Sequence, residues 1–342
     1  MKMAIFKYIV KRVINMIIVL FLLANLNFFL FEYVPMAILG LGVSFFVPYK
    51  SAQQALLGPV IYQSVIKEFG LDKPWPIRYE SYLKNIFTGN FGYGISAISG
   101  HEPVWSIIST YAPNSIFLLG VSTVLSIILG AYVGIVSASK RGKFVDISSV
   151  SVGIFSYSIP SFWIGLIVLY FFAVKYHFFP ISLGAATIGP GNVPLPVGSL
   201  AYIKAYLWAG TLPILVLTLI SFGSFQLIMR NTLNDVLTED YIMIARAKGL
   251  SERAVLYKHA FRNALLPLVT SMALAFGFIL SGAVITETIF NFTGLGWATL
   301  RYIEAFDYPV IQGIFFLIGV MVVVANFLAD IAYGFLDPRV SY

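Results

Sequence analysis

The chain has 342 residues, of which 59% are hydrophobic and only 11% are charged. Soluble domains carry charge on about a quarter of their residues, so this composition excludes an ordinary water-soluble fold and predicts an all-α integral membrane protein. The absence of cysteine excludes disulfides, thiolate metal sites and a cysteine nucleophile.

Apolar stretches long enough to cross a bilayer recur along the chain, since one helical crossing takes roughly 20 residues. They cover approximately 12–33, 114–137, 147–174, 211–230, 265–286 and 309–334. Their interiors carry no charge, and charged residues stand only toward their ends. We therefore predict six transmembrane helices.

These spans divide the chain into three parts. Residues 1–33 are interpreted as an N-terminal cytoplasmic end and the first transmembrane helix, which is too long for the apolar core of a cleaved signal peptide. Residues 34–113 form a long extracytoplasmic loop. Residues 114–342 form a core of five further helices with a cytoplasmic loop at 234–264.

The distribution of lysine and arginine predicts the orientation, because cytoplasmic loops of membrane proteins are enriched in both. With a cytoplasmic N-terminus, the short outer loops carry only Lys175, Lys204 and Arg301. The short inner loops then carry Lys140, Arg141, Lys143, Arg230, Arg246, Lys248, Arg253, Lys258 and Arg262. Both termini are expected in the cytoplasm, and the net charge of +7 reflects topology rather than nucleic-acid binding.

Motifs for chemistry are absent from the sequence. It contains no phosphate-binding G-x-x-x-x-G-K-[ST] loop and no H-E-x-x-H or G-x-S-x-G motif. Its three histidines, His101, His177 and His259, are not at metal-ligand spacing, so no catalytic or metal site is predicted. Because ion-coupled transporters place ionisable groups within the membrane, the uncharged spans indicate that energy for any transport comes from elsewhere, and a cytoplasmic loop that binds an ATPase would supply a route.

The most basic segment of the chain lies between the predicted fourth and fifth spans. Residues 240–248 predict a short helix that Gly249 ends, and Ser251 is a plausible N-cap for a second helix. Ala245 and Ala247 would permit close backbone approach by a partner. The residues alone support two alternatives equally, a basic helix lying on anionic lipid and a coupling helix that docks into a groove on a soluble protein.

An apolar stripe is also expected in the second helix of this segment. Leu250, Ala254, Tyr257 and Phe261 are spaced by four, three and four residues, which places them on one helical face.

The segment "ARAKGLSERAVLYKHAFRNALLPLVT" resembles the cytoplasmic loop of inner-membrane permeases of ABC importers, specifically the dipeptide/oligopeptide/nickel branch. "FGLDKPWPIRYESYLKNIFTGNFGYGIS", "GAVITETIFNFTGLGWATL", "DYPVIQG" and "LDPR" are similar to other parts of that branch. The resemblance covers nearly the whole chain, and the long first outer loop is typical of the first of two sister permeases. In the general importer pattern E-A-A-x-x-x-G, Met243 and Ile244 replace the first two residues and Ala245 remains.

The resemblance implies an ABC type I importer permease fold and a transmembrane permease subunit that catalyses no reaction itself. It also implies a sister permease, two ATP-binding subunits that hold ATP and Mg, and an extracytoplasmic solute-binding protein, all at the cell membrane of a prokaryote. Membrane lipid is a further expected partner, whereas no cofactor is expected on this chain. The expected cargo is peptides, with oligosaccharides or nickel as alternatives. A stand-alone channel, a secondary transporter or a lipid-bound scaffold is the alternative of another class.

The resemblance assigns site residues as well. The expected ATPase-coupling residues are Asp240, Ala245, Arg246, Ala247, Lys248, Gly249, Leu250, Ser251, Ala254 and Tyr257. Gly277 and Gly282 permit close helix approach in the fifth span, which lines the translocation path in this family. Glu287 is expected either to line the outer mouth or, as we favour, to end a helix where it is hydrated or paired. Asp330 is expected to pair with Arg12 or Arg230.

Overall fold

The computed structural model describes residues 2–38, 66–67, 70, 72–96 and 98–336. Helices account for almost all of the regular structure in this part of the chain. They are α1 (Lys2–Phe28), α2 (Trp75–Phe87), α3 (Val104–Ser139), α4 (Phe144–Ser158), α5 (Ser161–Val168), α6 (Leu183–Ala186), α7 (Leu200–Val236), α8 (Asp240–Ala247), α9 (Glu252–Ala254), α10 (Phe261–Gly277), α11 (Val284–Ile289), α12 (Leu295–Glu304) and α13 (Tyr308–Leu336). Most of the predicted loop at 34–113 before α2 lies outside the described residues.

Five continuous helical segments of the described chain are long and apolar enough to cross a membrane. They are Tyr8–Pro35, Val104–Ser139, Leu200–Val236, Glu252–Gly277 and Tyr308–Ile331. The second and third of these are longer than the predicted spans 114–137 and 211–230, because each helix starts about ten residues before the predicted window.

The predicted third span, 147–174, is not one straight helix. It consists of α4 followed by α5 and a π-helical continuation at Leu169–Lys175, and the two halves meet at 94°. Pro160 causes the break, because a residue before proline is driven out of the helical region. Ile159 is accordingly extended, with φ −73° and ψ 130°.

The bent pair nevertheless makes a sixth crossing, since α3 and α7 run parallel. Tyr206 hydroxyl donates to Asn114 Oδ1 at 2.8 Å, and further along both helices Ser126 hydroxyl donates to the Thr218 carbonyl at 3.3 Å. Two parallel neighbours leave the membrane on the same side, so the chain between them has to return across it. We call the side formed by the ends of α3 and α7 the loop side, and the side where they begin the opposite side.

Glycine lets α3 and α7 approach closely. A Cβ atom at Gly130 would stand 2.6 Å from the Phe222 carbonyl oxygen, and one at Gly134 would stand 2.7 Å from that of Gln226. Close backbone packing of this kind drives helix association in lipid, where the hydrophobic effect does not contribute. α7 is consequently the most buried of the crossing helices.

The predicted fifth span, 265–286, is also interrupted. α10 ends at Gly277, a short 3-10 turn follows at Ile279–Ser281, and Gly282 has φ +70° and ψ 157°, a conformation that only glycine adopts readily. A Cβ added at Gly277 would lie 2.7 Å from the Cβ of Ala325, which is a residue of α13. The close helix approach predicted for Gly277 is therefore correct, whereas Gly282 lies outside the helix and belongs to irregular backbone.

On the loop side, ion pairs join helices that are far apart in the sequence. Arg12 contacts Asp330 at 2.6 Å and joins α1 to α13, which is one of the two pairings expected from the sequence. Arg230 instead binds Asp146 through two hydrogen bonds of 2.7 and 2.8 Å. The Asp146 side chain is only 3% exposed, whereas both members of the Arg12 pair are about one-third exposed.

We expect Arg230→Met to destabilise the protein by about 3–5 kcal/mol, because it leaves the buried Asp146 carboxylate without its partner. Arg12→Met is the matched control and should cost less than about 1 kcal/mol, since an exposed pair contributes little. Thermal unfolding of both purified variants in the same detergent measures the difference. Equal losses for the two variants would contradict the assignment of Asp146 as a buried, dependent carboxylate.

Candidate functional site

The basic segment on the loop side forms two short helices separated at Gly249, as predicted. α8 ends at Ala247, and Gly249 reverses the chain with φ +78°. Ser251 then caps α9, because its hydroxyl accepts a hydrogen bond from the Ala254 amide at 3.3 Å. A left-handed backbone is unfavourable for residues with a Cβ, so glycine is the residue that suits this turn.

The buried face of this segment differs from the predicted stripe. A π-helix at Val255–Ala260 follows α9, and its wider turn brings Val255 and Ala260, five residues apart, onto one face. Both are fully buried, whereas Leu250 and Tyr257 are exposed. Of the predicted stripe, Leu250 and Tyr257 are exposed and Ala254 and Phe261 are half-buried, so its role as an apolar contact face stays a prediction, while the π-helix departs from the 3.6-residue period assumed for it.

The segment is anchored in the core of the spans. One continuous cluster of buried side chains joins α8, the π-helix and α10 to α3 and α7. Its members are Ile127, Ala138, Phe225, Met229, Leu233, Ile242, Ala245, Val255, Ala260, Ala264 and Leu268. Ala245 thus faces the inside of this chain, and α8 shares one buried core with the π-helix, α10, α3 and α7.

The exposed face of the segment is apolar and basic. Met243 and Ile244 are 62% and 57% exposed, and Asp240, Ala247 and Lys248 are also exposed. Sequence reasoning missed Met243 and Ile244 as surface residues. These two residues replace the glutamate and first alanine of the importer pattern, and that replacement was the signal in the sequence that could have identified them.

An ion pair links the two short helices across Gly249. Arg246 donates to both carboxylate oxygens of Glu252, at 2.9 and 3.2 Å. Both side chains are well exposed, so the pair adds little stability. It does hold the guanidinium within this chain and leaves Lys248 as the more accessible cation of the turn.

Glu287 lies on the opposite side and is completely buried. Its carboxylate accepts hydrogen bonds from Ser115 hydroxyl at 2.7 Å, Ala283 amide at 3.0 Å and Trp297 amide at 2.9 Å. These contacts tie α11 to α3 and α12. The favoured expectation of a hydrogen-bonded residue agrees with this geometry, and Glu287 does not face an open mouth within this chain.

Glycines pack directly around this carboxylate. A Cβ at Gly294 would come 2.6 Å from Glu287 Oε2, and one at Gly296 would come 3.0 Å from the same atom. A Cβ at Gly282 would overlap the Gly296 amide nitrogen. Asn114 adds a second tie by donating to the Thr293 carbonyl at 2.6 Å, so the segment from Gly282 to Gly296 is held as one unit.

Metal binding has no candidate in the described part of the chain, where no group of three or more His, Asp or Glu side chains is placed to hold an ion. The arrangement contains instead a surface segment mechanically joined to the spans and an interrupted helix at membrane depth. In lipid, irregular backbone is tolerated only where protein covers it or where it lines a cavity. These features define a polytopic membrane protein with a basic surface segment packed against its spans.

The chain belongs to the family described as binding-protein-dependent transport system inner membrane component, which matches residues 126–342. The corresponding N-terminal family matches residues 5–118. The protein is therefore a permease subunit of an ABC importer, with the type I permease fold.

Curated relatives agree with this assignment. The chain is 30% identical to a probable peptide ABC transporter permease protein of Sinorhizobium fredii over 98% of its own length and 99% of the relative's. It is 33% identical to a di/tripeptide transport system permease protein of Pseudomonas aeruginosa, over 83% and 86% of the two chains. It is also 33% identical to an oligopeptide transport system permease protein of Bacillus subtilis, over 89% and 95%.

Proposed function

We propose that this permease imports di- and oligopeptides, using ATP hydrolysed by partner subunits to which it couples through residues 240–262. The names of relatives that match along most of their length support peptides over oligosaccharides or nickel. The observation that carries the coupling role is the shared core of the basic segment and the spans. A displacement of α8 would be transmitted through this shared core to the π-helix, α10, α3 and α7.

The proposed assembly contains a sister permease, two ATP-binding subunits that hold ATP and Mg, and an extracytoplasmic solute-binding protein. We assign this chain as the first of the two sister permeases. Its loop side faces the cytoplasm, and both termini lie there, because the short loops on that side hold nine of the twelve lysines and arginines found in short loops. No nucleic acid takes part, and the remaining contacts of the spans are with lipid and the sister permease.

The exposed residues of the coupling segment suit a groove on an ATPase. Met243 and Ile244 present apolar surface on α8, and Leu250 and Tyr257 present it beyond the turn. Lys248 stands between them. A helix that inserts apolar anchors and surrounds them with charge is a recurrent way of docking.

The translocation path is proposed to run beside the interrupted fifth helix. Gly277 and Gly282 bracket its irregular segment, and Phe278 is exposed there. Glu287 holds the segment from behind through its three hydrogen bonds. Closing of the ATPases would shift α10 at the loop side and so change the position of this segment.

The first test is purification of the chain from native membranes in mild detergent, with mass spectrometry of the proteins that accompany it. A second six-span permease together with P-loop ATPases would support the importer, and uptake of labelled di- and tripeptides into proteoliposomes would support the cargo. Competition by oligosaccharide or Ni²⁺ but not by peptides would favour the alternative cargoes. A chain recovered alone, with conductance or ion-driven uptake, would favour a channel or secondary transporter.

We expect Lys248→Glu to weaken docking of the ATPase subunits by roughly tenfold, because exposed charges at an interface act on association and specificity. Arg246→Glu should weaken it too, but through loss of the pair with Glu252, so Arg246→Glu combined with Glu252→Arg should restore docking in part. Lys140→Glu is the control on the same membrane side. The measurement is the fraction of ATPase retained on the immobilised permease at two salt concentrations. Retention equal to that of the control would contradict a role for Lys248.

A further inference from the structure

An open apolar cavity lies on the side opposite the coupling segment, between the end of the bent third crossing and the start of α7. Its volume is about 980 Å³. Small and aromatic side chains line most of it, among them Ala173, Phe179, Ala205 and Trp208. Cavities of a few hundred to about a thousand cubic ångströms are of the size that binds small ligands.

The aromatic floor of the cavity is well ordered by packing. Phe179 stacks on Trp208 with ring centroids 4.3 Å apart and planes 21° from parallel, yet half of the Trp208 surface stays exposed. Ala173 and Ala205 also line the cavity, and their short side chains add apolar surface next to the rings. An apolar lining of this kind suits a hydrocarbon chain.

The ionisable residues that line the cavity are Lys204 and His177. The sequence contains no Asp or Glu at all between Asp146 and Asp235, so no acidic residue of these two crossings or their connection can neutralise Lys204. A cation beside an apolar surface fits a ligand that is anionic at one end and apolar along the rest.

Neighbouring residues place the cavity at the membrane boundary. Lys175 Nζ lies 5.4 Å from the ring centroids of both Phe171 and Tyr176, at the end of the third crossing. Aromatic rings and lysines gather at the level of lipid headgroups. The apolar floor therefore meets hydrocarbon, and Lys204 meets the headgroup region of the same leaflet.

We propose that this cavity is a binding site for one anionic phospholipid of that leaflet, which is the outer one in the orientation proposed above. An acyl chain covers the Phe179–Trp208 floor, and the phosphate binds Lys204 with His177 beside it. A bound lipid would fill the gap between the third crossing and α7 and keep the Pro160 bend at a fixed distance from the buried central helix. The site requires only that the chain spans a membrane, and not that its cargo is peptide.

The test is native mass spectrometry of the purified assembled transporter, titrated with phosphatidylglycerol and, separately, with phosphatidylcholine. The wild-type complex should retain phosphatidylglycerol at least tenfold more strongly. Lys204→Glu should abolish this preference, Lys204→Arg should keep it, and Ala205→Trp should lower retention of both lipids by filling the floor. Arg301→Glu, an exposed cation stacked on Trp297 elsewhere on the opposite side, is the matched control and should leave retention unchanged.

Melting temperatures of all variants identify any that fail to fold, and Lys204→Gln then replaces a failed Lys204→Glu. The proposal is overturned if the wild type binds both lipids equally, since that indicates ordinary annular lipid. It is also overturned if Lys204→Glu or its replacement behaves like Arg301→Glu, or if the assembled transporter excludes lipid from the cavity because a partner subunit fills it.

Discussion

Replacing Gly249 with valine is expected to lower uptake at least tenfold while the partner subunits still hydrolyse ATP and the chain still inserts into the membrane. The cause is conformational, because a Cβ at this position meets nothing within 4 Å. The backbone has φ +78°, which costs a residue with a Cβ roughly 1–2 kcal/mol and a β-branched residue more. Since about 1.4 kcal/mol is a factor of ten, the open form of the turn between α8 and α9 should become roughly tenfold or more favoured relative to the closed form.

Gly249→Asn is the matched control, because asparagine tolerates the left-handed region far better than valine. It should retain most of the uptake. The measurement is the ratio of solute transported to ATP hydrolysed in proteoliposomes that contain the complete transporter. A normal ratio for Gly249→Val would remove the main support for residues 240–262 as the coupling segment.

Glu287→Leu is expected to destabilise the protein strongly. It removes the acceptor for two buried backbone amides and for the Ser115 hydroxyl, and each group left unsatisfied costs about 1–3 kcal/mol. A loss of at least about 3 kcal/mol follows. Ser115→Ala should cost less, although its hydroxyl also accepts from the Leu295 amide at 2.8 Å.

Glu287→Gln separates a supporting role from direct contact with cargo. It keeps one carbonyl oxygen and the side-chain shape, so we expect an intermediate loss of stability with an unchanged order of preference among peptides. Thermal unfolding and competitive uptake with neutral, acidic and basic dipeptides measure the two properties. An altered peptide preference at normal stability would show that Glu287 contacts cargo, contrary to the burial seen here.

Local features of the fold could be predicted from the sequence where a single local interaction or residue preference determines them. In the hydrocarbon core, each crossing segment has to form its own backbone hydrogen bonds and is therefore helical. The positions of the apolar stretches consequently predicted the crossing helices. Gly249 and Ser251 predicted a turn and a cap correctly, because left-handed backbone and N-capping depend on the residue itself. The quoted motifs predicted the family, whereas the cytoplasmic position of the basic segment stays a prediction from the charge distribution.

Other features were decided only by contacts between distant residues. Asp330 had two candidate partners, and the positions of α1 and α13 selected Arg12 while Asp146 took Arg230. Glu287 meets Ser115 across 172 positions of sequence. The bent pair is a crossing only because α3 and α7 pack in parallel. The π-helix at Val255–Ala260 forms where Val255 and Ala260 both pack into the core of the spans. The intrinsic conformational preferences of these residues do not predict that packing.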